Sequence, residues 1–145
     1  MKKVDSFTAF EKIRSDPNNA GRTFSVSKDI FDHFSEKLRQ STREIGAKEA
    51  SEIEDLIGAD PGKGAGTTRD ATCEKCNTAF SLSDHVASAL LAGKHTAPEM
   101  ASFFQGNDYW LTVDTKEKRE TICPHCYRRG VIIHCCYIFS RYAYA

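Results

Sequence analysis

Cys73-Glu74-Lys75-Cys76 and Cys123-Pro124-His125-Cys126 are two CxxC turns in a chain of 145 residues. Two thiolates three positions apart on a tight turn can hold one face of a tetrahedral Zn²⁺, and a second such turn supplies the other face, with Zn–S distances of about 2.3 Å. Cys73, Cys76, Cys123 and Cys126 therefore form the expected metal set, for one Zn²⁺. Four thiolates leave no open coordination position for water or substrate, so the expected role of the metal is structural. Ordinary buried thiols are the competing reading, but free cysteines prefer apolar neighbours and these four are flanked by Glu74, Lys75, Pro124 and His125.

Working outward, composition sets the frame. Lys plus Arg and Asp plus Glu both total 20, so the formal net charge is zero and no global attraction to phosphate or to an anionic membrane follows. Lys2 and Lys3 are not followed by the apolar run of a signal peptide, and no stretch reaches the length of a membrane span. The expected location is cytoplasmic, with no membrane partner. In that reducing compartment six cysteines read as metal ligands rather than a disulfide framework.

Charge is divided unevenly. Residues 27–60 carry 5 basic and 9 acidic side chains, against 5 and 3 before them and 10 and 8 after. This acidic stretch has helical periodicity. Ser27 is placed to cap a helix, with Ile30, Phe34, Leu38 and Ile45 on one stripe widened by Phe31. Ala50, Ile53, Leu56 and Ile57 continue the pattern to Gly58, and Gly46 offers a division into two helices. Upstream, Val4, Phe7, Phe10 and Ile13 mark a short amphipathic helix behind an Asp5 cap, stopped by Asp16-Pro17, with Thr23 to Val26 as a short strand. Residues 58–66 hold four glycines and one proline and suit a loop. They fail the phosphate-loop pattern, because Gly58 and Gly62 enclose three residues and Gly64 follows Lys63 where a hydroxyl is required. The expected division is a helical region at 1–58, a glycine-rich linker at 59–70 and a Cys₄ module at 71–145.

Residues 77–122, 46 in all, separate the two turns and require structure of their own. Ser83 is placed to cap a helix ending at Gly93, and Pro98 to open a second running to Phe104. Tyr109 to Val113 alternates as a strand, and a charged turn leads back to Thr121 and Ile122 as a hairpin. Val131 to Phe139 is strongly β-prone and reads as a central strand. His134, Cys135 and Cys136 suggest a second metal site only weakly, since adjacent strand residues point to opposite faces. His33, His85 and His95 lack evident partners.

The order of knuckle, hairpin, second knuckle and closing strand, carried by Cys73, Cys76, Cys123 and Cys126, resembles the zinc-ribbon and treble-clef-like families over the C-terminal half. Joined to the N-terminal amphipathic helices read from periodicity, the resemblance implies an α+β fold in which those helices are followed by a zinc-ribbon-like module with a small antiparallel sheet and a helical insert between the knuckles. It also implies that exposed side chains, rather than the metal, carry function. Catalytic zinc patterns are absent: His33 has no glutamate two positions on, and no HExxH occurs, which sets a small zinc hydrolase or deaminase last.

Two recognition readings remain. In the first, a protein partner contacts the acidic helical region and an aromatic surface of Tyr109, Trp110, Tyr137, Tyr142 and Tyr144, as an adaptor or inhibitor of immunity or phage-encoded type would. In the second, nucleic acid binds Lys116, Lys118, Arg119, Arg128, Arg129 and Arg141, with Tyr127 stacking on a base. Glu117 and Glu120 interrupt that basic set, so the protein partner is preferred.

Overall fold

The computed structural model describes residues 3–61, 65–67, 72–105, 107–113, 119–132, 137–139 and 141–145. Helix α1 is Phe7–Ser15, capped by Ser6 rather than by Asp5, because the extended Ser6 brings its hydroxyl within 3.3 Å of the Ala9 amide. Asp16 ends the helix and its carboxylate accepts from the Asn18 amide, opening a single 3₁₀ turn, Pro17–Asn19. Strand β1, Thr23–Val26, follows where the β-prone run was read.

The acidic stretch is two helices, α2, Lys28–Gln40, and α3, Ala47–Ile57, separated by strand β2, Arg43–Glu44. Gly46 stands at the N-cap of α3, and Gly58 ends it with φ 74°, a left-handed conformation that costs glycine little. Ile30 and Phe31 of α2 are fully buried, each contributing roughly 1.5–3 kcal/mol of transfer free energy. Strand β3, Gly66–Thr67, lies between β2 and β7, Tyr137–Ile138.

The insert holds two helices, α4, Leu82–Leu91, and α5, Ala97–Ser102. Ser81 caps α4, not Ser83: it stands three residues before Asp84, so its hydroxyl meets the Asp84 amide while the Asp84 carboxylate returns to the Ser81 amide. Thr96 caps α5, Pro98 occupies its first turn, and the helix stops at Ser102, short of Phe104.

Strand β4, Tyr109–Thr112, does not form the expected hairpin with Thr121 and Ile122. It is the middle strand of a sheet ordered β1-β4-β8, where β8 is Tyr142–Tyr144. It runs antiparallel to β1 and parallel to β8, so this sheet is mixed. Both edges of β4 are thus occupied, and Thr121 and Ile122 pair instead within a ribbon of β5, Arg119–Ile122, and β6, Arg129–Ile132. Nor do the described residues of the apolar run Val131 to Phe139 belong to one strand. Its described parts divide between β6 and β7, and β7 is an edge of the β2-β3-β7 sheet. Lys116, Lys118, His134, Cys135 and Cys136 lie outside the described residues.

Packing crosses the glycine-rich segment. One core joins Ile53 and Ile57 of α3 with Leu82, Val86, Met100, Phe103, Phe139 and Tyr142, and another joins Phe10, Val26, Ile30 and Phe31 with Leu111, Ile138 and Ala143. In the mixed sheet, Thr23 Oγ1 lies 2.6 Å from Thr112 Oγ1, which lies 2.7 Å from the Tyr142 hydroxyl, a row of three hydroxyls that satisfies the buried members. No helix among the described residues is long and apolar enough to cross a membrane.

Candidate metal centre

Each CxxC is a knuckle with the same backbone plan. In the first, the Cys73 amide donates to the Thr78 carbonyl at 3.0 Å, the Asn77 amide to the Cys73 carbonyl at 2.9 Å, and the Lys75 amide to Cys73 Sγ at 3.4 Å. In the second, the Cys123 amide donates to the Arg128 carbonyl at 3.1 Å, the Tyr127 amide to the Cys123 carbonyl at 2.8 Å, and the His125 amide to Cys123 Sγ at 3.4 Å. The residue after each pair is left-handed, Asn77 at φ 59° and Tyr127 at φ 58°. Asparagine tolerates this region well, whereas for tyrosine it is uncommon. An isolated bridge between Thr72 and Ala79 closes the first turn, and the β5–β6 ribbon closes the second.

These turns bring Cys73, Cys76, Cys123 and Cys126 together, all four sulfurs within 4.8 Å of one another. Across the knuckles, Cys73 and Cys126 Sγ are 3.9 Å apart and Cys76 and Cys123 Sγ 3.7 Å. A tetrahedron of thiolates about 2.3 Å from a central ion has edges of about 3.8 Å, so the cage has the dimensions of a Zn²⁺ site. Cys73 and Cys123 are buried beside Phe80, and Cys76 and Cys126 are half-buried. The environments differ: the Thr78 hydroxyl, 3.2 Å from Cys76 Sγ, and the Thr78 backbone bring the Cys76 thiol down to about 6, while burial pushes Cys123 up to about 12. A bound Zn²⁺ deprotonates its thiol ligands outright, so the residues present suit one ion with all four sulfurs as thiolate.

Sequence reasoning missed the support around this cage. His125 Nε2 is 3.0 Å from Asp84 Oδ1, so the carboxylate that completes the α4 cap also holds the second knuckle. From α3, Glu49 accepts the Leu82 amide at 2.9 Å and Glu52 the Ser83 hydroxyl at 2.6 Å. Three carboxylates thus meet the positive end of the α4 dipole. The Ser81-x-x-Asp84 spacing was a readable signal for the cap; the pairing with His125 is tertiary and had none.

The other expected site residues are distributed as follows. Tyr127, Arg128 and Arg129 are exposed at the tip of the second knuckle, with Tyr127 at 70% exposure. Arg141 belongs to the mixed-sheet region, its guanidinium 5.0 Å from the Tyr109 ring centre. Arg119 lies in β5. Of the aromatic surface, Tyr142 and Tyr144 are core residues, and Tyr109 and Trp110 are half-buried, because β4 and β8 turn these rings inward onto Phe31 and Phe103. His33, His85 and His95 pack edge-on against phenylalanines, and His95 Nδ1 also lies 2.7 Å from Glu99.

No curated protein and no solved structure matches the chain. A family model does match it, from residue 18 to residue 145. With that span covering most of its length, the chain belongs to the family described as domain of unknown function DUF8243.

Proposed function

We propose that this chain is a non-catalytic zinc module that acts by macromolecular recognition, as an adaptor or inhibitor of a protein partner, with the second knuckle as its contact tip. The observation that carries the reading is the side-chain presentation there: Tyr127, held left-handed directly after Cys126, projects a mostly exposed ring beside exposed Arg128 and Arg129. Tyrosine and arginine are enriched among residues that dominate interface energies, and a metal-fixed turn loses little entropy on binding. The closed Cys₄ set supports a scaffold role for the ion, and the β5–β6 ribbon carrying a knuckle at its turn supports a zinc-ribbon-like arrangement. Formal neutrality favours a protein with a local acidic face over a polyanion.

A second reading has its own support, since an exposed ring flanked by two guanidinium groups is also a platform for an unpaired base and its phosphates. One experiment separates the two. Zinc-loaded, tagged chain is used to capture partners from a nuclease-treated lysate, alongside Tyr127→Ala and the double variant Arg128→Glu, Arg129→Glu. A stoichiometric protein complex that survives nuclease and is lost in both variants supports the first reading. Capture abolished by nuclease, with binding to single-stranded oligonucleotides that falls steeply with salt, overturns it in favour of the second.

A further inference from the structure

The two knuckles share a backbone plan but not their hydrogen bonds to sulfur. Thr78 and Arg128 hold equivalent places, each offering its carbonyl to the amide of the first cysteine of its turn, Cys73 or Cys123. The Thr78 hydroxyl reaches Cys76 Sγ at 3.2 Å. Arg128 is exposed instead, and among the described residues the polar neighbour of Cys126 Sγ is another ligand, Cys73 Sγ at 3.9 Å.

Zinc sets the sense of the contact at Cys76. A metal-bound sulfur carries no proton, so the rotatable Thr78 hydroxyl donates and the thiolate accepts. Hydrogen bonds to a charged acceptor are roughly twice as strong as neutral ones. Such a bond draws electron density from Cys76 Sγ, and a stabilised thiolate is the weaker nucleophile. Cys73 and Cys123 each accept one backbone amide at 3.4 Å, from Lys75 and His125, and both are 1% exposed, out of reach of a reagent in solution. Two half-buried sulfurs are left, Cys76 and Cys126, and only Cys76 has a hydroxyl donor.

We propose that Thr78 is a positioning residue of the metal centre, its hydroxyl making the four ligands unequal, and that Cys126 is the modification site at which uncharged activated alkenes open the cage. The Cys126 thiolate attacks the β-carbon of the alkene. One C–S bond forms, the π pair of the alkene takes a proton from water, and hydroxide is left. The thioether is neutral and a poorer ligand than a thiolate, so its formation loosens the cage. The inference rests on the zinc-filled Cys₄ cage and is independent of what the second knuckle contacts.

The test uses full-length zinc-loaded protein and a substoichiometric amount of N-ethylmaleimide at neutral pH. After an acid quench, peptide mapping by mass spectrometry locates the first adduct, and 4-(2-pyridylazo)resorcinol follows zinc release. Cys135 and Cys136 are mapped separately, so the order among the four ligands is read directly. Adduct at Cys126 should exceed that at Cys76 by at least about fivefold, in step with zinc release. Thr78→Val, close in shape but without the donor, should speed modification of Cys76 at least about fivefold with Cys126 unchanged, and should weaken zinc binding about tenfold. Thr78→Ser should restore both parental values. Cys76 reacting first in the parent would overturn the assignment. So would a Thr78→Val chain in which neither sulfur changes, or one in which Cys76 and Cys126 speed up equally, which marks a loosened turn rather than a lost hydrogen bond. Parent protein holding less than about one zinc per chain would overturn the cage and the inference together, a failure that metal analysis separates from a wrong ligand order.

Discussion

Replacing Asp84 by alanine removes one carboxylate that serves two elements at once. Its Oδ2 accepts the Ser81 amide at 3.0 Å and its Oδ1 meets His125 Nε2 at 3.0 Å. Losing the returning half of the capping box costs about 1 kcal/mol, and losing a negative charge in the first turn of α4 about 0.5 kcal/mol. The Asp84 side chain is 17% exposed but His125 is 43% exposed, so the pairing between them is partly screened and contributes about 0.5 kcal/mol. The sum, about 2 kcal/mol, corresponds to a fall in melting temperature of roughly 6 °C for a chain of this size. Urea denaturation of the zinc-loaded protein gives the free energy, and Asp84→Asn, which keeps an acceptor for the Ser81 amide, should recover about half of the loss. A double-mutant cycle with His125→Ala isolates the link between helix and knuckle, with an expected coupling of about 0.5 kcal/mol. If Asp84→Ala costs less than about 0.5 kcal/mol, or the cycle shows strict additivity, the second knuckle is not anchored through α4 and the argument fails.

Other outcomes follow from the same geometry. Protein purified without chelator should contain one zinc per chain, and its removal should expose four titratable thiols with loss of ordered β5–β6 signals; two or more tightly held ions would contradict a single Cys₄ cage. Burial beside Phe80 favours the neutral thiol of Cys123, whereas zinc holds it as thiolate. Zinc uptake should therefore release at least one proton, and affinity should rise with pH, as calorimetry in buffers of different ionisation enthalpy would show. Gly66→Ala would drive its Cβ into the Arg43 carbonyl where β2 and β3 pair, at a cost of about 1–3 kcal/mol in chemical denaturation. Ser88→Ala removes a buried hydroxyl without a hydrogen-bond partner among the described residues and raises helix propensity in α4, so stability should increase by about 0.5–1 kcal/mol; a decrease would mean that the hydroxyl is satisfied in solution.

The metal ligands were legible because a CxxC spacing encodes its own local geometry, and the helices because apolar stripes such as Ile30, Phe34 and Leu38 repeat at helical intervals. Cap positions were legible only to within a residue or two, since Ser6 and Ser81 compete with nearby Asp5 and Ser83 and the backbone decides between them. Strand pairing was not legible. Tyr109–Thr112 carries no local mark that its neighbours are Thr23–Val26 and Tyr142–Tyr144, far away in sequence, and a parallel partner leaves no turn signal. The same gap explains the aromatics: Tyr142 and Tyr144 read as a surface until the strand order places them in the core. The His125–Asp84 pair also arises from long-range packing, which periodicity does not report.

The two knuckles are separated by 46 residues that contain α4, α5 and β4. An ion joining Cys73 and Cys76 to Cys123 and Cys126 therefore acts on the unfolded chain as a cross-link, closing a loop whose entropy loss in the chain-entropy treatment of disulfides is about 4 kcal/mol at 25 °C. Timing then becomes a property of the molecule. A chain loaded with zinc early must bring β1 and β8 from outside the loop to a strand already enclosed within it, whereas a chain that builds the mixed sheet first presents its four sulfurs to the ion nearly assembled. Refolding rates measured with zinc added before or after dilution from denaturant would distinguish these orders, making the ion a participant in assembly as well as in the finished fold.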